Sequence, residues 1–136
     1  VADFDGDGQR EVAYIETPHI GGILTVVTVR GDELVPVARQ EGYSTHSMGS
    51  VHLDLAAVAD VDADGAVDFI LPDQSRSRIA VVSLVQGELV ERWRSPRMAP
   101  VGGGMQVKEV SGGWRASYRS TSGVTVDVMI LSGALR

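Results

Sequence analysis

The chain has 136 residues, a length that suits one domain. Its formal charge is −6, from 18 acidic and 12 basic residues, and no basic stripe argues for a nucleic-acid partner. Cysteine is absent, which excludes disulfides, and no apolar run approaches the roughly 20 residues of a membrane span.

The first residues carry a pattern of chemistry. Val1 and Ala2 lead into Asp3, Asp5, Asp7 and Glu11, with Gly8 at the sixth position counted from Asp3. The pattern recurs 57 residues later: Val58 and Ala59 lead into Asp60, Asp62, Asp64 and Asp68, with Gly65 at the sixth position. Three aspartates at alternate positions repel one another without a counter-charge. Hard oxygen donors grouped in this way suit a hard cation, and calcium takes six to eight of them in a flexible shell. The glycine permits the positive φ that bends a chain around an ion. The ninth-position acid closes the shell, and the backbone carbonyl at the seventh position, Gln9 or Ala66, is a further donor. An EF-hand needs a glutamate at position twelve, where this chain has Tyr14 and Leu71. The ligand set therefore ends at position nine, and an apolar, strand-like run follows.

These two loops resemble the calcium hairpins of FG-GAP/VCBS-type repeats, the repeats of integrin-α-like β-propellers. The resemblance implies a four-stranded blade for each repeat, with the calcium loop between its first and second strands. It also implies two calcium ions, a role in protein or glycan recognition or adhesion, and a secreted, periplasmic or cell-surface location. Eight of the 18 acids lie in the loops, leaving ten against 12 basic residues elsewhere, so the acidity is local. Two bound calcium ions would bring the net charge to about −2.

The rest of the chain reads as all-β. After the first loop, Arg10 to Glu16 is a strand, Pro18 to Gly22 a turn, Ile23 to Val29 a β-branched strand and Glu33 to Arg39 another. Pro36 marks this last strand as an edge, because proline donates nothing to a ladder. Arg30-Gly31-Asp32 spells an adhesive tripeptide, but Gly-Asp is also an ordinary hairpin turn. Residues 40 to 54 form a connection rich in Ser, Gly and His. His46 and His52 there, with His19 elsewhere, make too sparse a set for zinc.

The second unit repeats this order: Leu55 to Asp60, the loop, Ala66 to Leu71, Ile79 to Val85 and Glu88 to Arg94. Glu88-Leu89-Val90 matches Glu33-Leu34-Val35, so the likeness extends beyond the loops. In a decayed third unit, Tyr118 to Val126 aligns on Gly123 with the loop ending at Gly65, with the acids replaced. Met105 to Val110 is an additional strand between glycine turns at 102–104 and 112–113, and Val124 to Leu131 alternates as a strand.

The units expected are 1–54, 55–112 and 113–136, together one β-repeat domain of about two and a half blades. Closed propellers need roughly four to eight. The remaining blades would come from the parent chain or from another copy. The chain starts inside a motif without an initiator methionine, so a fragment or processed piece is expected, and the lack of a signal peptide says nothing of export. The leading functional expectation is a non-catalytic calcium-binding recognition module. The alternative is a glycan lyase or hydrolase built on such a propeller, marked by a cleft holding a perturbed acid or histidine outside the loops.

Overall fold

The computed structural model describes residues 3–16, 22–44 and 56–135. His19, His46 and His52, with most of the 40–54 connection and most of the turn at 18–22, lie outside the described residues.

Among the described residues, ten strands form three antiparallel sheets. β1 (Val12–Glu16), β2 (Ile23–Arg30) and β3 (Glu33–Glu41) make the first, in that order. β4 (Ala57–Ala59), β5 (Asp68–Pro72), β6 (Ile79–Val85) and β7 (Glu88–Arg94) make the second. β8 (Val101–Val110), β9 (Gly113–Ser120) and β10 (Thr125–Leu131) make the third, with β9 central. β3 is an edge strand, as Pro36 requires. No helix among the described residues is long and apolar enough to cross a membrane.

The four-stranded sheet lies between the other two. Strand side chains alternate between faces, and β5 and β6 use both. Phe69, Leu71, Ala80, Val82 and Leu84 pack with Leu24, Val26 and Tyr43 of the first unit. Ile70, Ile79 and Val81 pack with Val101, Met105, Ala116, Tyr118 and Ile130 of the third sheet. This double burial explains why β5 and β6 are almost continuously apolar, whereas β7 carries only exposed and half-buried residues. Tyr43 and Tyr118 are buried, and Trp93 and Trp114 pack against the second core, so the aromatics serve mainly as packing.

Three expectations for the third sheet change. The glycines at 102–104 are not a turn but part of β8. A Cβ on Gly102 would come within 2.9 Å of the Ser120 backbone, so β8 passes too close for a side chain there. The pairing of β8 with β9 slips around Gly103, which is how a glycine-rich stretch stays in the sheet. β8 belongs to the third sheet, so that sheet begins at Val101, ahead of the expected unit start at 113. The turn at Gly123 joins β9 to β10, the second and third strands of its sheet, whereas the loop at Gly65 joins the first and second. Gly65 and Gly123 share a positive φ, 92° and 89°, which any tight turn can demand, so aligning on that glycine equated turns of different rank.

Candidate metal centres

Each acidic loop precedes a strand and is shaped by its own carboxylates. In the first, Asp3 accepts hydrogen bonds from the N–H groups of Gly6 (2.8 Å) and Gly8 (2.9 Å). Asp5 accepts from Asp7 N (3.0 Å), Asp7 from Gln9 N (2.7 Å) and Glu11 from Phe4 N (3.2 Å). The second loop repeats four of these at the 57-residue offset. Asp60 accepts from Gly65 N (2.9 Å), Asp62 from Asp64 N (3.3 Å), Asp64 from Ala66 N (2.9 Å) and Asp68 from Val61 N (3.0 Å).

The backbones agree as well. Gly8 and Gly65 have φ of 88° and 92°. Gly6 (79°) is matched by Ala63 (58°), an alanine held in a left-handed conformation that its Cβ disfavours. The residue between the first two aspartates anchors each loop in the apolar interior. Phe4 enters the core between the first two sheets, and Val61 enters the core between the second and third.

Oxygens of Asp3, Asp5, Asp7 and Glu11 lie within 4.8 Å of one another. In the second loop Asp60, Asp62 and Asp68 form such a group, and Asp64 stands outside it. Gln9 is exposed and Ala66 buried, and each donates its backbone N–H to the acid two positions before it, Asp7 or Asp64. Burial, reinforced by Asp5 and Asp7, pushes the Glu11 carboxyl up to about 7. Burial also pushes Asp68 up to about 6, with the charges of Asp62 and Asp64 adding to the rise and a 2.7 Å bond from the Ser83 hydroxyl opposing it. Asp62 is raised by burial and by Asp64 and Asp60. Asp3 moves the other way, because the N–H groups of Gly8 and Gly6 outweigh its desolvation. Carboxylates held together at such cost suit a cation with oxygen ligands, and this donor set contains no soft ligand.

The loops differ in one respect that the motif did not signal. In the second, Arg92 donates from Nη1 to Asp62 Oδ2 at 2.9 Å and lies 3.4 Å from Ser83 Oγ. Among the described residues, no lysine or arginine pairs with an acid of the first loop. A cleft of about 710 Å³ opens between the second loop and the third sheet, lined in part by Asp60, Asp62, Arg92, Glu109 and Trp114.

The fold and these loops define an all-β protein with two matching acidic loops between stacked sheets. The chain matches no family model, no curated protein and no solved structure.

Proposed function

We propose that the two loops are structural calcium sites in a non-catalytic, propeller-type repeat module that recognises a protein or glycan outside the cytoplasm. The observation that carries the calcium reading is the equivalence of the loops. The same four carboxylate-to-backbone bonds and the same positive-φ positions recur 57 residues apart. Each loop leads into a strand and inserts an apolar anchor between two sheets, and the second also follows β4. A cation there neutralises the clustered charge and cross-links that junction.

Each sheet is then a blade or part of one, and three blades fall short of the roughly four to eight of a closed ring. Further blades from the same polypeptide or another copy would complete it. The cleft beside Trp114 and Arg92 offers a concave, mixed polar and aromatic surface for recognition. Among the described residues, the acids raised by their surroundings, Glu11, Asp62 and Asp68, all belong to the loops, which favours a structural over a catalytic use.

Isothermal titration of calcium into chelator-stripped protein tests the reading. Two equivalents per chain are expected, with one lost in Asp5→Asn. Absence of calcium binding, or a chelated protein that melts like the untreated one, would refute it.

A further inference from the structure

The two loops are built alike but are not equally charged, and the cause lies in an irregularity of the sheets. β3 pairs with β2 so that Val26 faces Ala38 and Val27 faces Pro36, leaving Val37 as an extra, unpaired residue. β7 pairs with β6 so that Val81 faces Trp93 and Val82 faces Glu91, leaving Arg92 in the same place. Val37 and Arg92 are thus equivalent bulge residues, 55 positions apart. A bulge re-aims the side chain it carries. In the first unit the bulge carries an apolar side chain that packs into the core. In the second it sends a guanidinium to Asp62, with side chains only 20% and 15% exposed. Through Ser83, which Arg92 approaches at 3.4 Å and which donates to Asp68 at 2.7 Å, the same cation also neighbours a second member of the group.

The geometry points to Arg92 as a tethered counter-cation that weakens calcium binding at the second loop and holds that loop in shape when calcium is scarce. This rests on the calcium reading of the loops. A divalent ion among Asp60, Asp62 and Asp68 shares Asp62 with a fixed positive charge, and at that range and partial burial the repulsion is poorly screened. The first loop gathers four carboxylates with no such partner among the described residues. The sites therefore fill in order. The first takes calcium at low concentration, and the second takes it only where calcium is abundant. A module of this kind is fully rigid only in a calcium-rich medium.

The test is calorimetric titration of calcium into the Asp5→Asn protein, whose remaining heat comes from the second loop. Adding Arg92→Gln should tighten that site at least about tenfold, while Arg92→Lys, which keeps the charge, should leave it within about threefold of the parent. In the chelated state Arg92→Gln should melt below its parent and regain the difference when calcium is added. If Arg92→Gln binds calcium no more tightly than the parent, or if Arg92→Lys tightens binding as much as Arg92→Gln, the counter-cation role is overturned and the calcium reading stands. If no protein of the series, wild type included, takes up calcium, the calcium reading fails and this inference fails with it.

Discussion

Phe4 and Phe69 stack with ring centroids 4.2 Å apart and planes 21° from parallel. Phe4 sits between the first two aspartates of the first loop, and Phe69 follows the last acid of the second. One aromatic pair thus links one loop to the strand that the other loop leads into. A main-chain bond from Val67 N to Asp3 O, 3.0 Å, runs beside it. The first loop is docked on the central sheet. Phe4→Ala is therefore expected to cost about 3–5 kcal/mol of stability by urea unfolding, since a buried ring is removed from a packed junction. It should also weaken calcium uptake at the first loop while sparing the second. A loss below 1 kcal/mol would mean that the loop is not anchored there.

Calcium is expected to add about 2.7 kcal/mol per site at a hundredfold excess over Kd, so chelation should lower the melting temperature. Asp62→Ala should abolish much of the second site's share. Ser120→Ala should show no calcium dependence, yet it is not a silent change. The Ser120 hydroxyl is buried and accepts the Val124 N–H at 3.1 Å, so its loss should cost about 1 kcal/mol with or without calcium. Melting curves of both variants, with and without chelator, separate the two effects.

The raised acids give a pH signature. Glu11 rises from its ordinary 4.5 to about 7, and Asp68 from 3.8 to about 6. In each case the folded state holds its proton more tightly than the unfolded chain. The stabilising contribution is whole below the unfolded value and is lost as pH climbs through the folded one. The calcium-free protein should therefore lose stability between about pH 3.8 and 7. Saturating calcium favours the ionised carboxylates and should flatten that decline. Denaturant midpoints across this range, with calcium and with chelator, provide the check; a calcium-free protein that gains stability over the interval would contradict it.

Ala63 offers a gain rather than a loss. Its φ of 58° matches a position where the first loop has glycine. Ala63→Gly should relieve the left-handed strain and stabilise the protein by up to about 1 kcal/mol, less whatever the freer unfolded chain takes back. Parallel urea unfolding of the two proteins measures it.

Tyr43 leaves the first sheet and donates its hydroxyl to Glu91 Oε1 at 2.9 Å, while Arg94 binds both Glu91 (2.7 Å) and Asp73 (3.2 Å). Burial and the Glu91 charge push the phenol well above its ordinary range, so it remains a donor at every working pH. Tyr43→Phe should cost about 1.5–3 kcal/mol, the range for a hydrogen bond to a charged group, and thermal melts would read it.

The sequence by itself determined the elements whose signals are local. β6 and β7 fall where the β-branched, apolar run of β6 and the Gln86-Gly87 turn put them, and Pro36 marks its strand as an edge because the missing N–H acts within one residue. The acidic loops were legible because their carboxylates bond to N–H groups a few positions away, so spacing alone sets the shape. Where a signal depends on a distant neighbour, only the tertiary structure decided. Gly102 looks like a turn until the Ser120 backbone passes 2.9 Å from where its Cβ would be. β9 is flanked by glycines that read as punctuation, although Trp114, Ala116 and Tyr118 alternate toward the core. Arg92 reads as an ordinary surface charge on a strand. It reaches Asp62, 30 positions earlier, because the bulge opposite Val81 and Val82 turns it inward. A bulge arises from two strands meeting out of step, and neither strand carries that mismatch alone.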